Sequence, residues 1–362
     1  MKINLNNNDL KKLDRLLQQK YDNIASSELY NSFLFDKYAL ISKSDINELT
    51  SKSSMNINDA YFTALLLKLD ILPSNNDILD LISSNRINKV SKLDENEYLD
   101  NPYLNFIHPQ EKRYGKYSLQ YNYYQPFEGF IYDEIYTDKA RYFAEYNRLG
   151  FFTTTFNYLT VLEGDRVWMS ITPHEINTMK KAIDEAKGKV VAYGLGLGYF
   201  PFMCSLKEDV TSIDIIEKDK DVIDLFEGEI LPQFRFRNKI NIINADAFDY
   251  AKNVAPNKKY DFSFFDIYHD EVDGLPLYLK MKELEKLSKD TIHSYWIEES
   301  ILSYLRRFIL TLIEESLNDE ITSDDYKKAS NEEEQILNDL YFKYKDVSFN
   351  SYEEIENFLK NL

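Results

Sequence analysis

Lys189-Val190-Val191-Ala192-Tyr193-Gly194-Leu195-Gly196-Leu197-Gly198 is the stretch on which the fold turns. Its apolar residues, Val190 to Tyr193, run straight into three alternating glycines. That is a buried strand ending in a tight loop, where missing Cβ atoms let the chain turn and let a ligand approach the backbone. Three more strand-like runs follow, Ser212–Glu217, Ile240–Asn244 and Tyr260–Asp266, with helix-like stretches between them. Strands alternating with helices predict an α/β fold, a mostly parallel sheet with helices on both faces. Ligands of such sheets bind at the carboxyl ends of the strands. The residues closing these runs are therefore the functional candidates.

The loop's spacing chooses among ligands. A dinucleotide site places its third glycine five residues after the first, so that the next helix packs close to a pyrophosphate. Tyr199 stands there, and the third glycine comes one residue early, at Gly198. No GxxxxGK[ST] run exists either, so NAD and nucleoside triphosphates are both disfavoured. An acid ends or closely follows each of the other runs. Glu217 closes the second, where a carboxylate can accept both hydroxyl protons of a ribose. Asp246 follows the third beside the small Ala247, a pairing suited to a flat base with an exocyclic amine. Asp266 ends the fourth and opens Asp266-Ile267-Tyr268-His269-Asp270. Any one such acid can be a helix cap. A glycine loop and three acids at successive strand ends form a coherent pattern.

On these residues (VVAYGLGLG, the acid of IIEKD, NADAF and FSFFDIYHD) the stretch from about 187 to 270 resembles the class I S-adenosylmethionine-dependent methyltransferases, which are Rossmann-like. The resemblance implies S-adenosylmethionine as cofactor. Gly194, Gly196 and Gly198, with Tyr193 beside them, would line its methionine part. Glu217 would hold the ribose, Asp246 and Ala247 would face adenine, and Asp266 would face the active centre. Ala192 stands where that family commonly has an acid, two residues before the first glycine. After Trp296 the family's closing β-hairpin gives way to Glu299–Leu317, which reads as a helix, followed by an acidic, helix-like tail. The order of hairpin, helix, glycine loop, ribose acid and strand-end Asp is also similar to that of spermidine synthases. That family carries an Asp within its glycine loop, where this chain has Leu195 and Leu197.

Methyl transfer from a sulfonium is an in-line displacement, so an enzyme supplies chiefly alignment and a dry site, and a base only when the acceptor must lose a proton. Asp266 and His269 are the candidates for that work, with Asp266 alternatively binding the cofactor by its ammonium group; a solvent-facing or capping histidine is the plainer alternative for His269. A metal held by Asp266, His269 and Asp270 is geometrically conceivable, but the expectation is no metal. His108, His174 and His293 show no ligand spacing. The expected activity is an S-adenosylmethionine-dependent methyltransferase acting on a small molecule, an amine included, or on a protein. Aminopropyl transfer and a non-catalytic cofactor-binding role are the alternatives.

Outside this domain, residues 1–112 read as an all-helical N-terminal domain. Leu10, Leu13, Leu16 and Leu17 recur at helical spacing behind an N-cap at Asn8 or Asp9, and Asn58–Leu69 repeats the pattern. Pro73-Ser74-Asn75-Asn76 breaks it, and a short helix is expected from Asp77. Residues 113–168 read as an aromatic-rich linker or lid. Sixteen Tyr or Phe fall within residues 114–158, which suits either a substrate wall or a packed junction. Glu163-Gly164-Asp165 marks a hairpin turn within Gly150–Trp168. Residues 169–362 then form the cofactor-binding domain with a helical C-terminal extension, entered through a helix that Thr172 caps and Gly188 stops.

Apolar residues make up 44% of the chain and charged residues 29%, the balance of a soluble globular protein. The net charge of −18 disfavours nucleic acid, whose binding requires Lys and Arg on phosphates. A small-molecule substrate is the expected partner, and a homo-oligomer stays open. Cys204 is the single cysteine, so no intrachain disulfide or cysteine zinc site can form. The first twenty residues lack the apolar core of a secretory signal, and no apolar run approaches membrane-spanning length, so the expected address is the cytoplasm.

Overall fold

A computed structural model describes residues 1–35, 40–71, 90–318 and 332–362. The break at Pro73–Asn76 and the helix expected from Asp77 lie outside these residues. In chain order the strands are β1 (Lys2–Ile3), β2 (Ser91–Lys92), β3 (Lys112–Tyr114), β4 (Tyr117–Tyr124), β5 (Gly129–Asp138), β6 (Ala144–Phe151), β7 (Phe156–Glu163), β8 (Arg166–Ser170), β9 (Gly188–Tyr193), β10 (Val210–Glu217), β11 (Ile240–Asn244), β12 (Phe262–Phe265), β13 (Ile292–Tyr295) and β14 (Ser348–Phe349).

Strands β9 to β13 form one five-stranded sheet in the order β11-β10-β9-β12-β13, every neighbouring pair parallel. Its strands are near-continuous apolar runs because helices cover both faces; Val190 to Tyr193 of the central β9 are all buried. The chain moves from β9 outward to β10 and β11, then returns to place β12 on the other side of β9. That reversal leaves a crevice at the carboxyl ends of β9 and β12, the usual ligand position in such sheets. The expected α/β, Rossmann-like sheet is therefore present, and four of its five strands match the sequence runs. The fifth, Ile292–Tyr295, was not read as a strand because Ile-His-Ser-Tyr is short and half polar. After Trp296 the chain enters the helix Glu298–Leu317, as its periodicity indicated.

The N-terminal region is helical apart from short strands that only tertiary pairing reveals. Helix Asn7–Phe35 is capped by Asn6, not by Asn8 or Asp9, since the Asn6 side chain accepts from the backbone N–H of both those residues. Its first half buries Leu13, Leu16 and Leu17 in the core of the parallel sheet, and its second half buries Leu29, Tyr30 and Phe33 in a separate core. Strand β1 pairs with β14, joining the two ends of the chain, and β2 pairs with β6. Two-residue strands carry no readable period.

Residues 112–170 hold six strands where the sequence reading had one hairpin. The expected hairpin is β7–β8, turning at Glu163–Arg166. The others complete a sheet β3-β4-β7-β8 and a sheet β2-β6-β5. The aromatic run fills the space they enclose: Phe130, Phe152, Phe156 and Tyr158 pack with Tyr98, and Tyr124 stacks on Phe130 with centroids 4.1 Å apart.

Candidate functional site

The carboxyl ends of β9 to β12 open into one cavity of about 640 Å³, with β8 and Glu175 completing its wall. The glycine loop forms its floor. At Gly194, φ is +93° and a Cβ would lie 1.8 Å from the Asp266 carbonyl oxygen, so only glycine lets β9 turn against the end of β12. At Gly196, φ is +53° and a Cβ would meet nothing within 4 Å. The left-handed backbone alone favours glycine there, and its surroundings are open. Gly198 donates its N–H to Leu195 O at 3.0 Å and begins the helix Tyr199–Ser205. The N-terminal region buttresses this loop: the Tyr103 hydroxyl donates to Leu197 O at 2.5 Å, and Asn101 donates to the Tyr199 hydroxyl.

Glu217 ends β10 with its carboxylate oriented by two backbone donors, Asp219 N–H at 2.8 Å on one oxygen and Leu195 N–H at 3.2 Å on the other. A carboxylate offers about four acceptor sites, so capacity remains for a ligand. Burial raises its pKa, while the backbone donors oppose the shift. Asp246 caps the helix Ala247–Asn253, one oxygen accepting from the N–H of Phe248 and of Asp249. It serves as a cap and lines the cavity as well, next to Ala247.

Asp266 lies at the innermost strand end. Its backbone N–H donates to Tyr193 O at 2.9 Å, but its carboxyl has no hydrogen-bond partner among the described residues. Burial pushes its pKa up to about 7, with the charges of Glu175 and Glu217 adding to the shift. Glu175 was not among the sequence candidates, although Thr172-x-x-Glu175 is a legible capping box. Its carboxylate accepts from Ser170 Oγ at 3.0 Å, from Thr172 N–H at 3.0 Å and from the Thr172 hydroxyl. Three donors thus fix a negative charge beside Asp266. The His269 ring stands edge-on to Trp168, centroids 4.3 Å apart, and both line the cavity.

Two sequence candidates belong elsewhere. The Tyr193 side chain is buried in the core, stacked on Phe265 at 4.4 Å, and does not line the cavity. Alternate residues of a strand face opposite sides, and here the cavity side is taken by Ala192. Asp270 caps the helix Glu271–Leu284 in a reciprocal box with Asp273 and is absent from the cavity wall. Among the described residues no group of three or more His, Cys, Asp or Glu side chains is arranged to hold a metal ion. Tyr268 is structural, its hydroxyl donating to Trp296 O at 2.6 Å. Of the sixteen rings in residues 114–158, Tyr117 is the one that lines the cavity.

The lysines and arginine of the cavity wall are grouped. Lys116 bridges Glu163 at 2.8 Å and Asp219 at 3.7 Å, Arg166 pairs in register with Glu163, and Lys218 follows Glu217. All three cations that line the cavity therefore stand at the Glu217 end. Strand β8 runs from there past Trp168 to Ser170, where Glu175, Asp266 and Asp273 face the cavity without a lysine or arginine.

No family model matches the sequence, and no curated protein matches it. Among solved structures, the chain is similar to one described as an O-methyltransferase from Klebsiella pneumoniae, at 16% identity and TM-score 0.22, over 28% of this chain and 44% of the other. It is also similar to spermidine synthase from Thermotoga maritima, at 14% identity and TM-score 0.29, over 42% of this chain and 59% of the other. The matched region thus spans less than two thirds of either structure. Among the described residues no helix is long and apolar enough to cross a membrane.

Proposed function

We propose that the chain is an S-adenosylmethionine-dependent methyltransferase acting on a small molecule or a protein side chain. The observation that carries this reading is the meeting, in one cavity at the sheet's reversal point, of the glycine loop, Glu217 and Asp266. The donor set fits the cofactor. Glu217 keeps acceptor capacity for two ribose hydroxyls, the loop offers a bare backbone floor for an amino-acid moiety, and Ala247 leaves space beside Asp246 for a flat base. When bound, S-adenosylmethionine supplies a methyl carbon made electrophilic by its sulfonium. The chain's own work is to align the acceptor and exclude water, with Asp266 orienting the acceptor or taking its proton and His269 as the second titratable group nearby.

Aminopropyl transfer is less well supported by the loop. The Asp that spermidine synthases carry within this loop is replaced here by the buried apolar side chains of Leu195 and Leu197. Calorimetry tests the cofactor: S-adenosylhomocysteine should bind, and NAD far more weakly. NAD binding as tight or tighter would overturn the reading. Turnover of S-adenosylmethionine with an acceptor library then separates an enzyme from a protein that only binds the cofactor.

A further inference from the structure

We infer that the acceptor is an extended peptide segment of another protein, held by pairing of its backbone with the free edge of β8. Strand β8 ends the sheet β3-β4-β7-β8 and pairs with β7 alone. Every residue from Arg166 to Ile171 lines the cavity, whereas no residue of β7 does. Alternate residues of a strand face opposite sides of its sheet. Met169, Ser170 and Ile171 therefore line one cavity together because it lies along the outer edge of the strand, where backbone groups point. Ile171 donates its N–H to Leu159 O at 2.8 Å, and Ser170 stands opposite Thr160 one step along. Hydrogen-bonded and non-bonded pairs alternate in an antiparallel ladder, so the Ser170 N–H and C=O point away from β7. Neither has another partner among the described residues. An unpaired edge is a template for another strand, and an added peptide sends every second side chain into the site. Ser170 also donates its hydroxyl to Glu175, and both line the cavity with Asp266. A peptide paired at Ser170 thus delivers a side chain to the strand ends of the parallel sheet. The rest of the edge suits the same occupant. Trp168 is the extra residue of a bulge between Val167 and Met169, a feature common at edges beside active sites. Val167 is 49% exposed, and Arg166, which begins the edge, has no ion pair among the described residues, so an acidic peptide residue complements that end. That the delivered side chain is methylated rests on the reading above; that a peptide pairs with β8 does not.

The test starts from an array of acetylated, amidated short peptides of random sequence with Glu at either end, probed with the full chain. The tightest binder is titrated in solution by tryptophan fluorescence, since both tryptophans line the cavity. Single N-methylation along its backbone should act with a period of two. Amides that face β8 should lose about tenfold or more in affinity, and the alternate amides less than about threefold. Ser170→Pro removes the outward N–H without removing a ladder bond, and should weaken the peptide about tenfold. Ser170→Ala keeps that N–H and should bind within about threefold of wild type. Thermal melting confirms that both variants are folded. An array without a binder, N-methylation without the period, or unchanged affinity in Ser170→Pro would overturn the pairing. A dimer in analytical ultracentrifugation that Ser170→Pro dissolves would give the edge to a second copy and overturn it as well. Periodic peptide binding in a chain that does not bind S-adenosylhomocysteine would support the pairing and overturn the cofactor reading.

Discussion

Tyr117, on β4 of the antiparallel sheet, donates its hydroxyl to Asp219, just after β10 of the parallel sheet, at 2.8 Å. The backbone N–H of Asp219 in turn donates to Glu217 at 2.8 Å. Burial would raise the Asp219 pKa, but the Tyr117 hydroxyl, backbone donors and Lys116 hold it below its usual value. The two sheets thus share a hydrogen-bonded path to the ribose candidate. Tyr117→Phe keeps the ring beside Trp168 and removes the hydroxyl. It should weaken S-adenosylhomocysteine binding by about 3–10-fold, the worth of one net hydrogen bond. Calorimetry on the folded variant checks this; intact nucleoside affinity would mean that Glu217 is positioned without help from the neighbouring sheet.

Glu217 itself should matter more. Glu217→Ala removes charge-assisted bonds to the ligand and frees the Leu195 and Asp219 N–H groups. A loss of about 1.5–3 kcal/mol in S-adenosylhomocysteine affinity is expected. A ribose-lacking analogue such as methionine should lose far less between wild type and variant. Equal losses for both ligands would relocate the ribose.

The glycines of the loop should not be equivalent. Alanine at Gly194 puts a Cβ against the Asp266 carbonyl on a left-handed backbone, and neither backbone can give way without displacing a strand end. Gly194→Ala should cost about 2–4 kcal/mol of stability. Gly196→Ala meets only the backbone penalty, on the order of 1 kcal/mol, in otherwise open space. Urea denaturation would give this order, and its reversal would contradict the loop geometry.

The parallel sheet was legible because its strands are buried on both faces, so Val190–Tyr193, Ile213–Ile216 and Phe262–Phe265 read as apolar runs interrupted only by Asp214 and Ser263. Glu217 and Asp266 were legible for the same reason, as acids closing those runs. What escaped depended on distant partners. Glu175 reads locally as half of a capping box, and only the fold carries it to Asp266. Tyr193 adjoins the glycines in sequence, yet strand alternation turns its ring into the core. The aromatic segment hid six strands, because rings that alternate between two small sheets also resemble a lid. That assignment has a direct check. Tyr124 stacks on Phe130 with its hydroxyl hydrogen-bonded to Thr172, while Tyr123 is 53% exposed. Tyr124→Ala should lower the melting temperature by several degrees, as for about 2–3 kcal/mol of lost packing, with S-adenosylhomocysteine affinity unchanged. Tyr123→Ala should do neither. A specific loss of acceptor turnover in Tyr123→Ala would restore the lid.

Asp266 should also leave a mark on stability against pH. Its folded pKa is raised to about 7 by burial, with Glu175 on the neighbouring helix and Glu217 at the end of β10 adding to the shift; Asp273 and His269 face the same cavity. A carboxyl whose pKa is higher folded than unfolded binds more protons in the folded state between the two values. Stability therefore falls as pH rises from about 4 to about 7, and levels off above. Asp266→Asn removes that proton difference. The variant should match wild type near pH 4 and exceed it at pH 8, by on the order of 1–4 kcal/mol. The contrast is measured by urea titrations at several pH values, taken as a difference so that the other acids cancel. A pH slope unaltered by Asp266→Asn would mean that this carboxyl is solvated in the folded chain, and both its raised pKa and its part in the cavity's charge would have to be abandoned.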